Sequence, residues 1–268
     1  MPLYYLALVA IIQGLTEFLP VSSSGHLILL PSLTGQADQG VVIDVAVHVG
    51  TLFAVILYFW SDVREVLSGL PRLLTGRVDT RGAKLALLLA LATVPVVIFG
   101  FALKMLDVVD SLRSIKVIGW TMLIFGLVLY WTDQKGAERK QADQWTMKDA
   151  AIMGLWQAIA LIPGTSRSGI TISGARALGY ERSDAARLAM LMSIPTITAS
   201  GVLLGIDVAT TANTQAATDG AIAAVMAFIA ALLALTLMMR LLRTVSFTPY
   251  VIYRVLLGVI LLTIAYSN

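Results

Sequence analysis

Glu17-Phe18-Leu19-Pro20-Val21-Ser22-Ser23-Ser24-Gly25-His26 interrupts an apolar segment that runs from Leu3 to Leu19 and resumes from Leu27 to Leu33. Proline removes a backbone donor and clashes with the preceding turn, while serine is a favoured N-cap of the helix that follows. The stretch therefore reads helix, break, helix. Ala150 to Ile162 repeats the pattern, followed by Pro163-Gly164-Thr165-Ser166-Arg167-Ser168-Gly169-Ile170-Thr171 and a second short run. Either break alone reads equally well as a surface turn between short hairpin helices. Inside a bilayer, non-helical backbone is tolerated where it is buried in protein or lines a watery cavity, which makes both breaks candidate sites.

The rest of the chain supplies that bilayer setting. Of the 268 residues, 58% are hydrophobic and 13% charged, and mean hydropathy is +0.85, outside the soluble globular range. Six stretches, 41–60, 84–103, 115–131, 185–206, 221–242 and 249–266, are apolar and long enough to cross a hydrocarbon core of about 30 Å as helix. The expected fold is an all-α polytopic membrane protein, one membrane domain over 1–268, with six transmembrane helices plus two re-entrant broken helix pairs at 3–34 and 150–178. Cysteine is absent, which excludes disulfides, thiol catalysis and thiolate metal sites. The first stretch lacks a basic n-region and a small-residue cleavage site, so it is expected to remain in place.

One broken segment precedes three spans in each half, so 1–131 and 150–268 read as two repeats built around Pro-x-[Ser/Thr]-Ser breaks. An odd number of crossings per half, with each broken segment entering and leaving on one side, makes the halves run in opposite directions: an inverted-topology repeat. Loops 61–84, 132–149, 176–187 and 240–254 then share one face and hold 15 of the 19 Lys and Arg. The opposite face has Lys104 and Arg113, with Lys116 just inside the next span. By the positive-inside rule the first face is cytoplasmic and both termini lie outside. Topology thus accounts for the net charge of +3 and pI near 9.2, and nucleic acid is not an expected partner. Arg176, Arg182 and Arg187 are expected on a solvated face or against headgroups.

Ionisable groups at membrane depth are costly and default to function. They are Glu17, His26, Asp44, His48 and Arg167, and the two histidines are the only ones in the chain. Gln13 and Glu17 lie four apart on one helix face, directed toward the loop that ends at His26. Ser22, Ser23 and Ser24 precede His26 closely enough for a hydroxyl to hydrogen-bond the imidazole, with Glu17 the nearest carboxylate to orient it. A serine-rich cap beside a histidine is also a common structural motif. Arg167 is a fixed cation able to grip phosphate bidentately, flanked by Thr165, Ser166, Ser168 and the amides of a helix N-terminus. Its competing roles are snorkelling to a headgroup or pairing with Glu17. Asp44 and His48 share a helix face and suit a supporting role, binding a proton, a metal or each other.

At these residues the sequence resembles the bacitracin-resistance family of undecaprenyl-diphosphate phosphatases, integral enzymes of the bacterial inner membrane that regenerate the lipid carrier for cell-wall synthesis. The family's Gln/Glu-x-x-x-Glu signature corresponds to Gln13-Gly14-Leu15-Thr16-Glu17 and runs on to His26. Its Pro-Gly-x-Ser-Arg-Ser-x-x-Thr signature corresponds to Pro163 through Thr171, and likeness extends to Asp44 through Thr51 and Leu191 through Pro195. The resemblance implies that Ser23 is the nucleophile or a phosphate-contacting hydroxyl. It gives His26 and Glu17 acid-base or metal-binding roles, with Glu17 a ligand of a divalent cation, Mg²⁺ or Ca²⁺. Arg167 would hold the diphosphate with Thr165, Ser166, Ser168, Ser22 and Ser24, supported by Gln13, Asp44, His48 and Thr171. Gln13 stands where many relatives carry Glu, so the carboxylate's role falls to Glu17. The family's site opens to the periplasm or exterior; its partners would be undecaprenyl diphosphate and bilayer lipids, and a homodimer is among the assemblies it allows.

Another lipid phosphatase class, with Ser-Gly-His and Ser-Arg motifs, needs a second downstream histidine, and none follows His48. The rival function is transport: a prenyl-phosphate flippase would use the same inverted repeat and anion pocket, but without a placed nucleophile and base.

Overall fold

In the computed structural model, which describes residues 1–108, 110–211 and 214–267, helix α1 (Leu3–Phe18) stops two residues short of Pro20 and α2 (Ser23–Thr34) begins three residues beyond it. Positions 109, 212 and 213, in the expected loops 104–114 and 207–220, and terminal residue 268 lie outside the described residues. The second break is built the same way, between α7 (Met147–Ile159) and α8 (Arg167–Ala177). The remaining helices are α3 (Gly40–Tyr58), α4 (Trp60–Leu74), α5 (Arg81–Met105), α6 (Ile115–Lys135), α9 (Arg182–Thr211), α10 (Thr214–Leu241) and α11 (Thr248–Ser267). No sheet forms among the described residues; one isolated bridge joins Lys140 and Tyr180.

Six of these helices, α3, α5, α6, α9, α10 and α11, are long and apolar enough to cross a membrane, so the chain is a multi-pass membrane protein. They match the six expected spans with most ends shifted by a few residues, α9 ending later and α10 beginning at Thr214, well before the expected 221. The difference lies in the expected loop 61–84, which contains α4. Its apolar residues Val63, Val66, Leu67 and Leu70 recur at helical spacing, but Asp62, Arg64, Glu65 and Arg72 keep the segment too polar to read as a span. It packs on α5.

The packing crosses between the halves. Helix α1 lies on α10 and α7 on α5, each approach made close by one glycine. A Cβ on Gly14 would meet the Ala227 carbonyl oxygen at 2.7 Å, and one on Gly154 would meet that of Ala92 at 2.7 Å. Likewise α3 packs on α10 and α9 on α5, α6 packs on α11, and α3 meets α9.

Of the expected surface arginines, Arg176 is buried and needs correcting, while Arg182 and Arg187 stay partly exposed in ion pairs. Arg176 is 1% exposed and sits 3.2 Å from Asp133, donating also to the carbonyls of Tyr180 and Asp133. Arg182 reaches the same carboxylate at 2.7 Å, and Arg187 pairs with the buried Asp62. Spacing gave no hint that Asp133 and Asp62 are buried on neighbouring helices, where each requires a cationic partner. These pairs fasten the loops at that end of the bundle.

Candidate functional site

Both breaks turn on a serine in a conformation that L-residues seldom adopt. Ser22 has φ 73° and Ser166 φ 70°, and each side chain caps the helix it precedes, accepting from Gly25 N at 3.3 Å and Gly169 N at 3.1 Å. A left-handed non-glycine residue costs roughly 1–2 kcal/mol, strain of a kind that persists where the surroundings over-determine it. The hydroxyls two residues on repeat the match: Ser22 meets Ser24 at 3.3 Å and Ser166 meets Ser168 at 3.1 Å. Ser22 therefore corresponds to Ser166. The register implied by aligning the two Pro-x-[Ser/Thr]-Ser motifs is one residue off, because the second break holds an extra residue after its proline. Ser23 and Arg167 become the equivalent first residues of α2 and α8.

The two breaks touch. Ser168 donates to the Leu19 carbonyl at 3.0 Å, and Arg167 reaches across to Glu17 Oε1 at 2.8 Å. Glu17, 7% exposed, accepts on Oε2 from the Ser23 hydroxyl at 2.8 Å and from Gln13 Nε2 at 2.8 Å. His48 Nε2 lies 3.9 Å from the same oxygen, its ring held by Nδ1 donating to the Asp44 carbonyl at 2.7 Å. Asp44 in turn accepts from Gln39 at 2.9 Å.

A cavity of about 310 Å³ opens over this cluster, lined by Glu17, Ser22, Ser23, Ser24, Asp44, His48, Ser166 and Arg167 on its polar side. Thr196, Ile197, Ser200, Gly201 and Leu204 of α9 close the other side. Arg167 leaves Nη1 buried and without a hydrogen-bond partner, and Gln13 leaves Oε1 in the same condition. A buried polar group without a partner costs on the order of 1–3 kcal/mol. An unpaired cationic donor at a cavity wall between two helix N-termini is what a phosphate oxygen would satisfy.

His26 is placed elsewhere. The expected hydroxyl-to-imidazole bond is not formed: Nδ1 donates to the Ser22 carbonyl at 2.7 Å, and Nε2 takes the Tyr253 hydroxyl at 2.5 Å, the rings stacked at 5.7 Å. Helix geometry is the reason, because the imidazole four residues on returns to the Ser22 carbonyl and Ser23 points to the other side. Thr171 is also apart from the cavity, its hydroxyl donating to the carbonyls of Arg167 and Ser168 inside α8. Thr165 is fully buried with its hydroxyl unpartnered.

Arg254 went unread in the sequence, where it was counted with the basic loop 240–254. It lies two turns inside α11, 0% exposed, with five carbonyls as its partners. It donates to Pro20 of the first break, to Gly164 and Thr165 of the second, and to Thr121 and Met122 of α6, at 2.8–3.3 Å. The available signal was that Arg254 falls inside the apolar span expected over 249–266.

Among the described residues no group of three His, Asp or Glu side chains is placed to hold a metal. Gln13 turns its amide nitrogen toward Glu17, so the Glu17 carboxylate is the oxygen ligand this cluster offers a hard cation, which would take its remaining ligands from a substrate's phosphates.

The chain is similar to known proteins along its whole length. The undecaprenyl-diphosphatase of Ruegeria pomeroyi is 71% identical over 267 residues, and that of Jannaschia sp. is 69% identical over 267, each match covering 100% of both chains. That of Maricaulis maris is 46% identical over 265 residues, 98% of each chain. The family model described as bacitracin resistance protein BacA matches residues 6–260, and both signatures of the cavity fall within it: the chain belongs to the BacA family of bacitracin resistance proteins.

Proposed function

We propose that this chain is an undecaprenyl-diphosphatase, hydrolysing undecaprenyl diphosphate to undecaprenyl phosphate and inorganic phosphate and so recycling the carrier for cell-wall synthesis and conferring bacitracin resistance. The observation that carries the reading is the triad at the junction of the breaks: one carboxylate, Glu17, holding the Ser23 hydroxyl on one oxygen and the Arg167 guanidinium on the other.

In the mechanism, the terminal phosphoryl group enters the cavity and takes Arg167, whose free Nη1 gives it a second donor. The Ser24 hydroxyl and the N-termini of α2 and α8, capped by Ser22 and Ser166, add to the electropositive cradle, while Ser168 ties α8 to the Leu19 carbonyl. Glu17, released from Arg167, accepts the Ser23 proton as Ser23 Oγ attacks the terminal phosphorus. The bond to the bridging oxygen breaks, and its electron pair leaves with undecaprenyl phosphate. Water then cleaves the phosphoseryl ester, returning the proton and releasing inorganic phosphate. His26 serves by fixing the Ser22 carbonyl, and His48 and Asp44 flank the carboxylate. A divalent cation, Mg²⁺ or Ca²⁺, would be held by Glu17 and would supply neutralisation of charge on the phosphoryl oxygens.

The halves are read as an inverted-topology repeat, 1–131 and 150–268, with 3–34 and 150–178 as re-entrant pairs, in the bacterial inner membrane. Support comes from the matched Ser22 and Ser166 turns and from the packing, in which α1 on α10 answers to α7 on α5. The basic loops then face the cytoplasm, and the cavity opens to the periplasm with both termini outside. Bilayer lipids surround the spans, and a homodimer fits the same frame.

The test is phosphate release from undecaprenyl diphosphate by detergent-purified protein, together with Ser23→Ala. Loss of turnover and a trappable phosphoseryl adduct in the wild type support the covalent route. Near-normal turnover in Ser23→Ala would remove Ser23 as nucleophile, and binding without any hydrolysis by the wild type would favour a flippase.

A further inference from the structure

Helix α9 divides two environments. Ile197, Gly201 and Leu204 face the polar cavity, while Pro195 and Ala199 face an apolar hollow of about 430 Å³ shared with Val63, Leu67 and Leu89 of α4 and α5. Between them on the helical wheel lie Thr196 and Ser200. Those two residues line both the polar cavity and a third hollow of about 230 Å³, walled by Val96, Gly100 and Phe101 of α5 with Leu161 beyond α7. Ala199 in turn lines both this third hollow and the larger apolar one.

We propose that this chain of hollows along the α5–α9 seam is the binding groove for the substrate's polyprenyl chain, which enters the cavity sideways between Gly100 and Ser200. The inference rests on the diphosphatase reading above and adds the path of the tail. Continuity decides the occupant. Beyond Thr196 the walls change from hydroxyl, carboxylate and guanidinium to aliphatic carbon, and the amphiphile that fits such a change has a phosphorylated head and a long branched hydrocarbon tail. Thr196 ties up its own hydroxyl by donating to the Met192 carbonyl at 2.9 Å. Gly201 has no heavy atom within 4 Å of where a Cβ would stand, so the mouth is open along its edge. At Gly100 a Cβ would touch only the Leu161 side chain, at 3.5 Å, so the groove floor is the helix backbone itself.

Filling the floor should penalise long chains selectively. Gly100→Leu and Ala199→Phe are to be compared with Val259→Trp, a lipid-facing change on α11 away from the seam. Phosphate release is read for undecaprenyl diphosphate and for the fifteen-carbon farnesyl diphosphate. The expected result is a fall of about tenfold in the long-to-short ratio of kcat/KM for both groove variants, the worth of roughly two buried methylenes, and no change in the ratio for Val259→Trp. An unchanged ratio in the groove variants, with both substrates slowed alike or neither slowed, overturns the groove. A second readout does not depend on turnover: a prenyl monophosphate carrying a photoreactive group in its tail should crosslink to α5 and to α9 near Ala199. Crosslinks confined to α10 and α11 would overturn the assignment even if hydrolysis were normal. Absence of hydrolysis by the wild type, with the crosslinks as expected, would instead remove the diphosphatase reading and leave a lipid-phosphate groove.

Discussion

Ser23 and Arg167 occupy equivalent first positions of α2 and α8, 144 residues apart, and bind opposite oxygens of one carboxylate at the same 2.8 Å. The repeated turn has thus been used twice with different chemistry: a hydroxyl that can attack in one copy, a cation that can hold charge in the other. Glu17 joins them, and its replacement separates structure from catalysis. Glu17→Gln keeps the shape and can still accept from Ser23, but it cannot take a proton. Turnover should fall by about 10²–10⁴, the usual worth of a positioned base. Retention of half the wild-type rate would exclude Glu17 as the acceptor.

Arg167→Lys tests the guanidinium fork. The lysine keeps the charge but presents a single nitrogen, so it cannot give the phosphoryl group the two parallel donors that Nη1 and Nη2 supply together. KM for the lipid diphosphate should rise and kcat fall, for a combined loss of roughly tenfold to a hundredfold in kcat/KM. Wild-type kinetics in the lysine variant would reduce the role of Arg167 to a generic positive charge.

Much of this was legible in the sequence, because proline, serine and deep charge are local signals. The two breaks and the six spans follow from Pro20, Pro163 and the length of the apolar runs, whereas the Glu17–Arg167 pair stands in the sequence only as a competitor of phosphate binding. What escaped depends on packing. Polarity hid α4, since an amphipathic helix against α5 resembles a charged loop in any hydropathy window. Arg254 was hidden by its nearness to a basic loop, although its partners are carbonyls from three distant segments. The partner of His26 was misread because adjacency in sequence says nothing of which side of a helix turn a side chain leaves.

Arg254 should matter to stability more than any other single side chain near the site. Removing it strands the break carbonyls of Pro20, Gly164 and Thr165, while those of Thr121 and Met122 keep their places in the α6 ladder, and a buried acceptor left without a partner costs about 1–3 kcal/mol. Arg254→Met should lower the unfolding midpoint in detergent sharply. Arg254→Lys, with one ammonium group for acceptors on three sides, should recover only part of it. An unfolding midpoint within about 1 °C of wild type for the methionine variant, below the roughly 2 °C that 1 kcal/mol is worth in a chain of this size, would contradict the clamp.

His26 offers a way to tell a chemical histidine from a positioning one. Its Nδ1–H bond to the Ser22 carbonyl helps hold a serine at φ 73°, a conformation glycine adopts without cost. If that bond is the main contribution, His26→Ala should slow turnover by lowering kcat, and adding Ser22→Gly should restore several-fold of the loss, the equivalent of about 1 kcal/mol of relieved strain. The glycine also forfeits the Ser22 cap, worth only a few tenths of a kcal/mol when glycine replaces it, so the gain should survive. Tyr253→Phe removes the hydroxyl from Nε2 but leaves the stacked ring and the Ser22 contact, and it should change turnover by less than about threefold, in keeping with an exposed neutral hydrogen bond. A double variant as inactive as His26→Ala alone would place the imidazole in the chemistry itself, as the proton carrier between Ser23 and solvent.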